Sequence, residues 1–238
     1  MSAITNHRDD QEQIREARLA WDLPVPTEVK FIGQKHWQKF LDVDIGKDVP
    51  FPKALVSSLW QPEPGVSGKR VFQTHMVITL SRIFTKQDGS QKALNLNSYG
   101  ELIAPKFETL GGYASFWHEA RREHGNKGLR EERCFILIKM DQTLEVTEYV
   151  DLSHKEKTLE IYNEKIGAKT QMSKALPTIV AFTMKYFEEG EYPSFHVSCK
   201  EMTESFHLAV GVSSSNGIFI YDSNYPGVLP SRKFLAIQ

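Results

Sequence analysis

From Arg70 onward the chain alternates. In RVFQTHMVITL, Phe72, Thr74, Met76, Ile78 and Leu80 recur at a period of two, which predicts a strand with one apolar face. The turn residues Gln87-Asp88-Gly89-Ser90 predict a hairpin return into Ala93–Leu96. Cys134–Met140, CFILIKM, is nearly all apolar, the pattern of a strand buried on both faces. Leu144–Val150 reads as its return, and Phe206–Val212 and Gly217–Tyr221 as two closing strands. Between these runs the period lengthens. Helical spacing appears at Ile14, Ala17 and Trp21, ahead of Pro24 and Pro26. It recurs over Gln34–Leu41, with Trp37, Phe40 and Leu41 inward, and over Lys53–Trp60. Tyr99–Ala104 reads as a helix stopped by Pro105, and Ser115–His124 as one ended by Gly125. Leu159, Tyr162 and Ile166 mark an amphipathic helix closed by Gly167. Pro177 opens a helix that is apolar on most sides, so it is expected to be central and to pack on Cys134–Met140.

These elements predict an α+β fold with a mixed or antiparallel sheet packed against helices. QPEPGVSGK, residues 61–69, carries two prolines and two glycines and is the best boundary. Residues 1–69 are read as a helical N-terminal segment packed on the main domain, because about 60 residues make only a marginal core. Residues 70–238 form the α+β domain. No repeat or low-complexity tract interrupts the chain.

Charge narrows the functional classes. The 29 basic and 30 acidic residues leave a net charge of −1, whereas nucleic-acid binders usually carry a basic excess. No nucleic acid is therefore expected as a partner. No apolar run approaches the roughly 20 residues that cross a bilayer, and residues 1–20 show no signal-peptide pattern. A cytoplasmic protein with no membrane partner is expected. The two cysteines, Cys134 and Cys199, are expected as free, buried and unreactive thiols.

Four candidate chemistries stand beside plainer readings. His118-Glu119 begins like a metalloprotease helix, but position 122 is Arg and the next histidine is His124. Residues six apart lie about 240° around a helix and cannot share one metal, so a charged helix surface is the better reading. His196, Cys199 and His207 match no zinc-finger spacing. Gly111-Gly112 before a helix resembles an anion-binding turn but lacks any phosphate-loop motif, and a tight turn explains it. No cofactor or metal is expected. The constellation with most content is His207 and Asp222. A four-residue Ser213–Asn216 loop would pair Val212 with Gly217 and His207 with Asp222, and a two-residue turn would pair His207 with Asn224. An imidazole oriented by a carboxylate is what a general base needs. The plainer reading is a cross-strand polar pair.

This hairpin is similar to the His-Asp half of papain-like cysteine hydrolases. In that family the nucleophile is a cysteine at the start of a buried helix, whereas the corresponding stretch here, GGYASFW, offers only Ser115. A catalytic set of His207, Asp222 and Ser115 is thus the enzyme hypothesis. A second resemblance rests on Thr74–Leu80, on LNLNSYGEL from Leu94, on Glu123-His124-Gly125, on Leu176-Pro177 and on Pro230–Phe234. These stretches resemble uncharacterised proteins of chlamydia-like intracellular bacteria. The family carries no assigned activity. It implies a bacterial protein acting on host components, an effector delivered to a host cell. The leading expectation is a non-enzymatic binding or interaction protein with an unknown protein partner. The alternative is a papain-like cysteine hydrolase or a degenerate relative.

Overall fold

The computed structural model describes residues 23–63, 67–139, 144–145, 171–172, 174–190, 197–202, 207–213, 217–222, 233–234 and 236–237. The expected helices over residues 8–21 and 154–167 lie outside these. Within them, five α-helices and three sheets give the expected α+β fold.

The first sheet runs in the order β1 (Lys30–Ile32), β3 (His75–Ser81), β7 (Arg133–Lys139), β14 (Ala236–Ile237) and β9 (Gln171–Met172). β1 is parallel to β3, and β7 is antiparallel to it from His75↔Lys139 to Ser81↔Arg133. All seven β3 residues are buried. Met76, Ile78 and Leu80 enter the large core, while Val77 enters a smaller cluster with Leu59, Val71, Phe72 and Leu137. The apolar-polar alternation predicted one buried face. The opposite face is covered too, by helix α2 (Lys53–Trp60), whose Leu59 is fully buried and whose Leu55 and Trp60 pack beside it. The alternation begins later than expected, because Val71–Gln73 form a 3-10 turn before the strand.

Residues before the 61–69 loop supply core as well as helices. α1 (Gln34–Leu41) buries Trp37 and Leu41 in the same cluster as the C-terminal strands. The Trp37 indole Nε1 donates to the Thr79 carbonyl at 3.1 Å. β1 and β2 (Val43–Asp44) are strands inside the segment read as helical. β2 joins β4 (Ile83–Lys86) and β5 (Gln91–Ala93) in a small sheet; β4 and β5 form a hairpin about the expected turn, but the return is Gln91–Ala93 and not Ala93–Leu96, because Asn95 caps a helix that begins at Leu96.

α3 (Leu96–Thr109) runs through Pro105 instead of stopping before it. Tyr99, Ile103 and Phe107, spaced by four, are all fully buried. Burying them further along the helix offsets the roughly 3 kcal/mol that an interior proline costs. Asn95 caps the start, accepting from the Ser98 amide at 2.9 Å. Gly111, at φ +73°, closes the end, and the Gly112 amide donates to the Phe107 carbonyl at 2.8 Å. The glycine pair therefore ends a helix and does not begin one.

The second sheet has the order β6 (Tyr113–Phe116), β12 (Gly217–Asp222), β11 (His207–Ser213), β10 (Val197–Met202), β13 (Lys233–Phe234) and β8 (Leu144–Glu145). β8 pairs with β13, so it does not return beside β7. Ser115 was expected in a helix, but 113–116 pair in parallel with β12, and only His118–His124 are helical, as α4. Tertiary pairing overrides the local pattern there. Gly100 lets this happen: a Cβ on it would lie 2.9 Å from the Phe116 ring, so α3 lies directly on β6.

α5 (Ala175–Glu189) is central, with Ala175 to Met184 all buried. Its principal neighbours are β10, β11, β12 and α1, so it lies chiefly on the second sheet, while Cys134 and Ile136 of β7 pack against the core it shares. Leu208, Val210, Ile218 and Ile220 meet it in the core.

Two substitutions test this packing. Leu80→Ala should cost about 2–5 kcal/mol in denaturant unfolding, because Leu80 is fully enclosed. Tyr99→Phe should change stability by less than about 1 kcal/mol or raise it. The Tyr99 hydroxyl is buried without a hydrogen-bond partner among the described residues. Burial pushes its pKa far up, and the adjacent Thr183 hydroxyl, which tempers this, already donates to the Ile179 carbonyl at 2.7 Å.

Candidate functional site

The final hairpin forms, but not in the expected register. Leu208 stands opposite Asp222, and Ser213 opposite Gly217. The connection is three residues, 214–216, an odd number. Neither even-length loop occurs, and a one-residue shift moves a position to the other face. Leu208, and not His207, is therefore the residue in register with Asp222. Ser115 is in register with Phe219, and Phe219 with Gly211. His207 is four residues further along and two strands across, about 16 Å from Ser115 by strand geometry. His207, Asp222 and Ser115 share a sheet, and the backbone register places neither His207 nor Ser115 opposite Asp222.

Side chains of another set do converge. At the head of α5 lies an open cleft of about 730 Å³, lined by Leu96, His124, Lys127, Gly128, Leu129, Arg130, Glu131, Cys134, Lys174, Leu176, Pro177 and Glu201. α3 contributes Leu96, and five further pieces build it. α4 delivers His124 from its last turn, the 127–131 turn supplies the basic lip, β7 opens with Cys134, and α5 contributes Leu176 and Pro177. The fifth piece comes from an irregularity. The β10–β11 register slips between Ser198 and Met202, and such bulges re-aim side chains. Glu201 lies in that slip, and its Oε2 accepts from the Ala175 amide at 2.9 Å. A helix leaves its first amides open and carries positive charge there. Glu201 takes one of them, and Pro177 has none to offer.

The electrostatics follow from this placement. Burial pushes the Glu201 carboxyl above the usual carboxylate range, outweighing the Ala175 hydrogen bond and the attraction of His124 and Lys174. Burial also pushes the Cys134 thiol up, Glu131 adds to this, and Lys174 opposes it. Cys134 is thus held as a thiol and not as the thiolate a nucleophile requires. Neither cysteine is in a disulfide, and Cys199 is fully buried. Among the described residues no group of three His, Cys, Asp or Glu side chains could hold a metal ion. None of their helices is long and apolar enough to cross a membrane.

Sequence reasoning missed this cleft because its lining is scattered from Leu96 to Glu201. The visible signal is the pair of cations Lys127 and Arg130, followed by Glu131-Glu132, just ahead of an apolar strand. It also missed a buried polar trio. Thr74 Oγ1 donates to Glu63 Oε2 at 2.6 Å, and His75 Nδ1 lies 2.9 Å from that hydroxyl and 3.3 Å from the same carboxylate oxygen. The Glu63 and His75 side chains are 1% and 4% exposed. The trio lines neither the α5 cleft nor the one between α2 and β7. It fastens the 61–70 loop onto β3.

Glu201→Gln should reveal the buried charge. A carboxyl whose folded pKa is raised binds more protons folded than unfolded, so stability falls as pH rises from the unfolded value, about 4.3, to the raised one. The substituted side chain keeps an oxygen for the Ala175 amide and has no charge to bury. The difference in stability, variant minus wild type, should therefore grow with pH across that window and then level off. Urea unfolding from pH 4 to 8 checks it, and a pH-independent difference would refute it.

No family model, curated protein or solved structure matches the chain.

Proposed function

We propose that this chain is a non-catalytic binding module and that the cleft at the head of α5 is its recognition site for a protein partner. One observation carries the reading. The cleft combines an apolar floor, Leu96, Leu129, Leu176 and Pro177, with a few charged groups at its rim, the composition of a recognition site. The cysteine within it is held as a thiol, which favours recognition over nucleophilic chemistry. The likeness of Thr74–Leu80 and the other quoted stretches to proteins of chlamydia-like bacteria extends the proposal: the partner is a host component, met in the host cytoplasm by an effector.

Gly128→Trp tests the site. Gly128 is exposed on the lip, and a Cβ there meets nothing closer than the Leu94 carbonyl oxygen at 3.4 Å, so the indole can occupy the cleft without disturbing the core. Immobilised wild-type protein is expected to retain a partner from host-cell extract that the equally stable Gly128→Trp variant loses. Identical retention by both would remove the cleft from the function.

A further inference from the structure

The ligand class of this cleft follows from where its charges sit, and it rests on the reading just given. Three cationic side chains, Lys127, Arg130 and Lys174, line it against two carboxylates, Glu131 and Glu201. Glu201 is already committed to the Ala175 amide. Lys127 Nζ lies 3.3 Å from His124 Nδ1, so that imidazole is oriented by a cation. Lys127 and Arg130 are exposed, and both come from the turn between α4 and β7, whereas Lys174 caps α5 across the cleft.

This arrangement separates two kinds of anion. A compact phosphate is best held by clustered backbone amides at a helix start. Here that end is occupied by the protein's own carboxylate and interrupted by Pro177. The remaining positive charge is on long side chains spread along both banks, with apolar surface between them. Separate carboxylates carried on one chain, with an apolar residue between them, match such spacing.

We propose that the cleft binds a short acidic peptide segment of the partner, an apolar side chain resting on Leu129, Leu176 and Pro177 and flanking carboxylates meeting Lys127, Arg130 and Lys174. Glu131 at the rim repels such a ligand on one side and so sets its direction. Binding weakens with salt, because the cations are exposed and screened.

The test is selection of a randomised pentapeptide display library on the full-length chain, followed by fluorescence polarisation with the recovered peptide. Enrichment of Glu and Asp beside an apolar residue is expected; no enrichment, or enrichment of basic residues, overturns the proposal. The recovered peptide should bind at least about tenfold more tightly than its Gln/Asn counterpart, and Lys127→Glu/Arg130→Glu should weaken it by about tenfold or more. Both mutated positions are exposed, and an unchanged melting temperature confirms the fold. Equal binding of the amide peptide, or indifference to the charge reversal, overturns it. Displacement by tripolyphosphate at lower concentration than by the peptide itself would replace it with a phosphate ligand. Gly128→Trp keeps the two readings apart. If that variant abolishes peptide binding while the charge reversal does not, the cleft stands as the site and the acidic class fails; if neither affects binding, both fail.

Discussion

β3 has no solvent-facing side: all seven of its residues are buried, and the two faces belong to different cores. A strand in that position obliges the chain to cover it twice. One cover is built from residues before the 61–69 loop, where α2 lays Leu59 and Leu55 over Val77. The other is the large core beneath Met76, Ile78 and Leu80, which α1, α3, α5 and the second sheet all share. Removing the early residues would expose one face of β3 and withdraw Ile32, Trp37 and Leu41 from the larger cluster. Residues 29–60 and the later domain are thus bound by one shared core.

The cleft at the head of α5 is a by-product of that burial. α5 sits against the second sheet with ten consecutive residues enclosed, so its N-terminal end cannot be left to water. The slip in β10 solves the problem by bringing Glu201 under the Ala175 amide. With the positive end of the helix met internally, the cations left around the cleft are the side chains of Lys127, Arg130 and Lys174.

Polar groups inside this protein follow the same economy of pairing. Glu63, Thr74 and His75 are enclosed together and share one carboxylate oxygen, which ties the 61–70 loop to the edge of β3. The Trp37 indole, buried completely, reaches the Thr79 carbonyl. Tyr99 is the exception among large buried side chains, its ring needed in the core and its hydroxyl left without a partner among the described residues. Buried polar groups usually find partners, so the value of that ring lies in packing, edge-on against Trp37 at 6.1 Å.

By itself the sequence determined which segments are apolar and at what period. From that followed the α+β class, the helices Gln34–Leu41 and Lys53–Trp60 to the residue, a hairpin turn at Gln87–Ser90, a strand over Cys134–Met140 that stands at Arg133–Lys139, and a buried helix opened by Pro177 that begins two residues earlier, at Ala175. These are local properties, set by spacing and by turn residues within a few positions. Tertiary structure decided everything that depended on a neighbour. Pro105 stays inside α3 because Phe107 is needed in the core beyond it. Ser115 belongs to a strand because β12 offers an edge, and Gly100 lets the helix behind it come close. Leu208 and not His207 stands opposite Asp222 because the loop is one residue shorter than the four that would pair them, a distinction that alternation within each strand cannot reveal. The cleft was least legible, since Leu96, His124, Cys134, Lys174 and Glu201 are brought together by the packing of α5 and by a slip in β10, and neither leaves a period in the sequence.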